Sequence, residues 1–198
     1  MSKGILFVMS GPSGTGKGTI CDELLKRYDI FLSVSTTTRE IRKGETEGVT
    51  YNYTTVANFE RMIKNDEMLE YAKYGNNYYG TPQKTVREMI DSGKNVLLEI
   101  EPQGAMQVKK IFTDAILMFI VPPSMAELKK RLTERGRENE EQIEERLTAA
   151  RWEFGEAVKY NIVFINDDLD ECVESVISYM NEKTSERNFL NKLLKEEY

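Results

Sequence analysis

Gly11-Pro12-Ser13-Gly14-Thr15-Gly16-Lys17-Gly18-Thr19 decides the fold. It follows directly on the apolar run 5–9 and leads into a helical stretch over 19–28. Strand, glycine-rich loop and helix, in that order, are the setting that G-x-x-x-x-G-K requires to act as a phosphate cradle. Small residues let the backbone curl so that successive N–H groups point at phosphate oxygens, and the helix N-terminus adds its partial positive charge. Lys17 is a point charge able to reach the outer phosphates of a nucleoside triphosphate. Position 18 departs from the strict motif, since Gly18 stands where Ser or Thr is usual. Thr19 offers a hydroxyl one residue later, and Mg²⁺, which tolerates water and phosphate ligands, is expected to rely mainly on those. A dinucleotide-binding reading fails because G-x-G-x-x-G would need glycine where Thr19 stands.

Outward from the loop, further short apolar runs cover 96–100, 115–121 and Ile162–Ile165. Each lacks strict alternation, as suits strands buried on both faces. Helices are expected over 82–92, 124–135, 139–158 and 169–194, the second opening with a capping box of Ser124 and Glu127 after Pro122-Pro123. Alternating strands and helices predict an α/β chain of the P-loop NTPase type, three layers around a mostly parallel sheet. Two regions break the alternation. Residues 33–81, rich in Thr, Tyr, Arg and Gly, read as short antiparallel strands and turns. Residues 131–151 are dense in charge, with Arg131, Arg135, Arg137, Arg146 and Arg151 around Gly136. Both look like appendages on one core.

Composition narrows the chemistry. None of the 198 residues is histidine, which excludes Ser–His and Cys–His nucleophile systems, His-ligated zinc and the H-R-D loop of protein kinases. A net charge of −6 implies no general polyanion-binding surface, so nucleic acid is not an expected partner. Anion recognition must come from locally placed Arg, Lys and backbone amides. Cys21 and Cys172 match no metal spacing and read as two reduced thiols. The N-terminal apolar run is too short for a signal or membrane span, so the expected compartment is the cytoplasm, with no membrane partner.

A second constellation follows the phosphate loop: Ser33-Val34-Ser35-Thr36-Thr37-Thr38-Arg39-Glu40-Ile41-Arg42-Lys43-Gly44-Glu45, then Gly48-Val49-Thr50-Tyr51, Leu69-Glu70-Tyr71-Ala72 and Asn77-Tyr78-Tyr79-Gly80-Thr81. Arg39 and Arg42 in a Ser/Thr-rich loop suit a phosphate, which a guanidinium grips bidentately. Tyr51 and Tyr79 are candidate phenolic donors to the same group. A carboxylate at Glu70 suits a base presenting a ring N–H beside an amino group, as guanine does and adenine does not. Taken alone, the two arginines read as solvated surface and the two tyrosines as packing; inside the full loop they point to a nucleotide site.

From Ile5 to about Asp168 the chain closely resembles the guanylate kinase family, through the phosphate loop, S-x-S-x-T-T-R-x-x-R-x-G-E-x-x-G, N-x-Y-G-T, Gln103-Gly104, Pro122-Pro123-Ser124, Arg135-Gly136 and Asn166-Asp167-Asp168. The resemblance implies that Ser35, Arg39, Arg42, Tyr51 and Tyr79 hold the phosphate of GMP. It implies that Glu70, Thr81 and Glu101 face guanine, that Arg135 and Arg146 approach the ATP phosphates from a lid, and that Asn166 lies near adenine. ATP would rest on Gly11, Pro12, Ser13, Gly14, Thr15, Gly16, Lys17, Gly18 and Thr19. The catalytic set would be Lys17, Arg39, Arg42, Arg135 and Arg146. The implied parts of the single domain are a core (1–33, 82–123 and 159–198), a GMP-binding region (34–81) and a lid (124–158). The implied reaction is in-line transfer from ATP to GMP, with Mg²⁺ as cofactor; use of dGMP as a further acceptor stays open at this point. Departures from the family pattern are Ile41 in place of a common proline, Thr50 in place of aspartate, and Glu99 and Glu101 in place of two aspartates. Alternation places 99 and 101 on one side of a strand at its C-terminal end. Kinases of other monophosphates, a protein-binding scaffold domain and a general P-loop NTPase are the competing readings. The first lacks the need for Glu70 and this arginine loop, the second would have lost the phosphate loop, and the third would need a water-activating site.

Overall fold

The computed structural model describes residues 3–134, 136 and 139–193. In chain order these form β1 (Leu6–Ser10), α1 (Lys17–Arg27), β2 (Phe31–Leu32), β3 (Thr36–Thr37), β4 (Asn52–Tyr53) and α2 (Val56–Lys64). There follow β5 (Met68–Tyr74), β6 (Asn77–Pro82), α3 (Gln83–Asp91), β7 (Val96–Glu99) and α4 (Pro102–Ile111). The chain continues through β8 (Ile116–Val121), α5 (Met125–Glu134), α6 (Glu140–Glu156), a 3₁₀ turn at Ala157–Lys159, β9 (Ile162–Ile165) and α7 (Leu169–Leu193).

The continuous apolar runs become strands because both faces of their sheet are covered. Five strands in the order β2-β7-β1-β8-β9 pair in parallel throughout. Along β1, Phe7 and Met9 pack with Ile20 and Leu24 of α1 and Val173 and Val176 of α7. Leu6 and Val8 point the other way, to Val86 and Ile90 of α3 and Ala105 and Val108 of α4. One strand thus feeds two cores, and the result is the three-layer α/β architecture of the P-loop NTPase type. A third apolar cluster joins α5 to α6 through Leu128, Leu132, Ile143 and Leu147.

Residues 36–82 build a separate four-stranded sheet in the order β4-β3-β6-β5. The expectation of antiparallel strands holds for β3 with β6 and for β5 with β6, but β3 and β4 run parallel. Residues 38–51 are long enough for the crossover that a parallel pair requires. This region also contains α2, whose N-cap Thr55 accepts from the Asn58 amide. At α5 half of the expected capping box forms: the Ser124 hydroxyl accepts from the Glu127 amide, while the Glu127 carboxylate is taken by Arg131. The full reciprocal box instead opens α6, between Asn139 and Gln142. Cys21 and Cys172 are both buried free thiols. Among the described residues, no helix is long and apolar enough to cross a membrane.

Candidate active site

The phosphate loop leaves β1 at Ser10 and ends at Gly16, the N-cap of α1. Gly16 has φ +91°, and a Cβ there would lie 2.4 Å from the Asn166 side-chain nitrogen, so both backbone angle and space demand glycine. No side chain caps α1, which leaves its first N–H groups for an anion. Lys17 Nζ donates to the carbonyls of Gly11 (2.5 Å) and Pro12 (3.1 Å). Burial lowers the Lys17 pKa, and Glu99 followed by Glu101 oppose that shift. The amine therefore stands above the loop on two carbonyls, ready to exchange them for phosphate oxygens. Thr15 is fully buried: its hydroxyl and its N–H both donate to the Pro12 carbonyl, which holds the loop's curl from within. Ser13 is exposed and accepts from Arg146 of α6 at 3.0 Å. Gly18 and Thr19 are both exposed; the nearest atom to a Cβ added at Gly18 is a Glu99 oxygen, 4.0 Å away.

Beside the loop opens a cleft of about 580 Å³ between the two sheets and α6. Ser13, Ser35, Arg42, Tyr51, Tyr79, Glu70, Glu99, Glu101 and Arg146 line it, so most of the expected acceptor residues meet in one space. Ser13, Ser35, Tyr51, Glu99 and Glu101 also line an adjoining hollow that reaches Lys17. The cleft sits at the C-terminal ends of β1 and β7, where ligands of open α/β sheets bind.

Arg39 does not line that cleft. Its two terminal nitrogens grip Glu45 at 2.9 and 2.8 Å, and its guanidinium lies 5.5 Å from the centre of the Tyr51 ring. Glu45 also accepts from the Arg42 amide and the Tyr53 hydroxyl, at 2.7 and 2.8 Å. These donors, Arg39 foremost, hold its carboxyl down at about 2. One carboxylate thus organises the whole arginine loop, a role the sequence motif showed only as a glutamate of unstated purpose.

At the other end of the cleft Glu70 is 5% exposed. A register shift in β5 between Met68 and Glu70 sets it opposite Thr81. Thr81 is wholly buried and donates its hydroxyl to Glu70 at 2.7 Å, so it supports the carboxylate more directly than it faces the cleft. Burial raises the Glu70 pKa to about 7 against the opposing Thr81 bonds. Glu99 closes β7, whereas Glu101 is the N-cap of α4 and not a strand residue, because Pro102 pre-sets the first helical turn. The two still face the same cleft.

Asn166 is 6% exposed and donates to the Thr15 carbonyl at 2.8 Å. The amide braces the phosphate loop. Arg135 lies outside the described residues, as do Arg137 and Leu194. Glu153, one helical face along α6 from Arg146, lines the cleft and carries no sequence motif; its pKa is raised to about 7 by burial, then by Glu101. Its spacing from Arg146, i to i+7, is the available signal. Among the described residues, no group of three His, Cys, Asp or Glu is arranged to hold a metal. Thr19 is exposed and Glu99 lines the cleft; a hydroxyl and a carboxylate are oxygen donors of the kind Mg²⁺ takes, and that ion keeps several waters and needs few protein ligands.

Known proteins carry the same pattern. The family model described as guanylate kinase matches residues 3–183. A guanylate kinase of Clostridium tetani is 49% identical over 178 residues, covering 90% of this chain and 86% of that protein. One of Oceanobacillus iheyensis is 44% identical, covering 98% and 94%. The crystal structure of guanylate kinase from Anaplasma phagocytophilum superposes with a TM-score of 0.77 at 32% identity, covering 92% of this chain and 87% of that one. With phosphate loop, cleft and arginine loop in the arrangement described, and a match across nearly its whole length, the chain belongs to the guanylate kinase family.

Proposed function

We propose that this chain transfers the γ-phosphoryl group of ATP to the phosphate of GMP, giving ADP and GDP. The observation that carries the reading is one cleft with the phosphate loop at one end and a buried, hydroxyl-supported carboxylate at the other. Ionised Glu70 accepts N1–H and the 2-amino group of guanine. Ser35, Arg42, Tyr51 and Tyr79 take the acceptor phosphate, with Arg39 fixed beside them by Glu45. The ATP phosphates lie on 11–19, with Lys17 over the outer ones and Arg146 approaching from α6. In this reading residues 34–81 serve the acceptor, 124–158 act as the lid and the remainder is the core.

The acceptor phosphate has a second pKa near 6, so it is ionised at neutral pH and needs no protein base. One of its oxygens bonds to the γ-phosphorus as the bond from that phosphorus to the bridging oxygen breaks, and ADP leaves with the electron pair. Catalysis is then positioning and charge neutralisation, which agrees with a chain that lacks histidine. Mg²⁺, held by Thr19, Glu99, water and phosphate oxygens, would supply further neutralisation of phosphate charge. Nothing in the base reading involves the ribose 2′-hydroxyl, so dGMP is expected to serve as well.

The test is ADP release with GMP, dGMP, IMP, AMP, CMP, UMP and dTMP, for wild type and Glu70→Gln. A site built on a buried hydrogen-bonding group rejects an unpaired analogue by about 10⁴. GMP and dGMP should lead, IMP should fall between them and AMP, and Glu70→Gln should lose most GMP turnover while ATP binding survives. Equal discrimination in both proteins would remove Glu70 from the base site and favour Glu101 with Thr81.

A further inference from the structure

Glu70 sits on β5, an edge strand of the second sheet, yet the element packed on that edge is α4 of the core. Two residues one turn apart on α4 make the junction. The Gln107 side-chain amide acts as a substitute strand: its oxygen accepts from the Tyr71 N–H at 3.2 Å and its nitrogen donates to the Tyr71 carbonyl at 2.9 Å. Both backbone groups of the residue next to Glu70 are thereby tied to the helix. Gly104, at i−3 and so on the same face, meets Glu70 itself. A Cβ at position 104 would lie 2.4 Å from Glu70 Oε2 and 3.1 Å from its carboxyl carbon. Glu70 Oε1 is already held by Thr81 on the other side. The carboxylate is fixed between a hydroxyl and a helix turn that has no side chain, with no room to retreat.

We propose that Gly104 and Gln107 are positioning residues for acceptor-base selection: Gln107 fixes the height of β5 against α4, and Gly104 leaves the space in which the Glu70 carboxylate can point into the cleft. A side chain at 104 must push that carboxylate off its line, whereas the phosphate loop, on a different part of the core, is untouched. The proposal rests on the reading of Glu70 as the base-recognising group.

The experiment measures kcat and KM for GMP, IMP and ATP in wild type, Gly104→Ala, Gln107→Ala, Glu70→Gln, Glu70→Asp and Gly104→Ala/Glu70→Asp. Misplacing a recognition group by about 1 Å can cost roughly 10²-fold. Gly104→Ala should therefore raise the KM for GMP by about tenfold or more and lower the GMP-to-IMP preference towards that of Glu70→Gln, with the KM for ATP within about twofold. Glu70→Asp draws the carboxylate back by one methylene and makes room for the added methyl. In that background Gly104→Ala should cost much less, a non-additivity expected only if the two groups collide. Gln107→Ala should shift the GMP-to-IMP preference in the same direction by about threefold, and it decides the matter if Gly104→Ala does not fold. An unchanged preference in both variants, or additive losses in the double variant, would overturn the proposal. If Glu70→Gln itself keeps the wild-type preference, the base reading fails first, and this inference falls with it.

Discussion

At the level of single residues, the site is a set of charges held in place before any ligand arrives. Lys17 is parked on the Gly11 and Pro12 carbonyls, and Arg39 is locked bidentately to Glu45. Neither needs to search for its position when phosphate enters, so little side-chain entropy is lost in binding. The two differ in what they can do. Lys17 can exchange its carbonyl partners for phosphate oxygens, whereas Arg39 presents a fixed cation beside the Tyr51 ring. Lys17→Ala should accordingly lower kcat by about 10²-fold or more, the scale seen when one preorganised stabilising group is removed from a reacting centre. It should leave the far-ultraviolet circular dichroism spectrum unchanged, because the two carbonyls it releases lie in the loop and not in a helix or strand ladder. A kcat within threefold of wild type would show that the lysine does not act on the transferring group.

At the level of elements, what is legible in sequence follows from local chemistry, and what is not follows from tertiary contacts. The phosphate loop and four strands of the main sheet announce themselves through glycine spacing and continuous apolar runs. The helices α2 and α4 do not, although each carries a start signal, Thr55 as N-cap and Pro102 at the first helical position. The Thr- and Tyr-rich surroundings of α2 and the brief apolar content of α4 hide them. The site residues are legible as types, but their division of labour is not. Thr81 and Asn166 spend their donors on Glu70 and Thr15, and no spacing rule shows whether a buried polar side chain faces a ligand or a neighbour. Asn166 ties the end of β9 to the phosphate loop, and Arg131 of α5 donates to the Asn166 carbonyl at 3.0 Å. Removing a buried hydrogen bond costs about 1–3 kcal/mol when its partner is left unpaired. Asn166→Ala should lower the melting temperature by a few degrees and raise the KM for ATP by about tenfold, with the KM for GMP changing far less. Equal effects on both substrates would mean that the brace acts on the whole cleft and not on the loop.

At the level of the whole molecule, the cleft gathers more carboxylates than the free protein can comfortably ionise. Burial is the leading cause of the raised pKa of Glu70 and of Glu153, both to about 7, and it raises Glu99 as well. A carboxyl whose folded pKa lies above its unfolded value binds more protons when folded, so stability falls as pH rises through the window from about 4.5 to about 7. For Glu70 alone the loss is about 3 kcal/mol, because each tenfold change in proton affinity between the unfolded and folded chain is worth about 1.4 kcal/mol. Below that window the opposite sign applies: Glu45, held down at about 2 by Arg39, contributes stability that is lost as pH falls from 4.5 towards 2. The ligand-free protein should therefore be most stable near pH 5, and its melting temperature should drop by roughly 6–12 °C between pH 5 and pH 8 through Glu70 alone. GMP reverses the logic if Glu70 reads the base as proposed, because its ionised form is the one able to accept both guanine donors. Its affinity should rise with pH across the same window, beyond what ionisation of its own phosphate explains, and saturating GMP should flatten the fall in melting temperature. Glu70→Gln should remove the Glu70 share of that fall without any ligand, leaving the shares of Glu153 and Glu99, and should gain much less from GMP than the wild type does. Thermal melts from pH 4 to 8, with and without GMP, in both proteins check the whole scheme. Parallel curves for wild type and Glu70→Gln would show that the buried carboxylate does not carry the pH dependence.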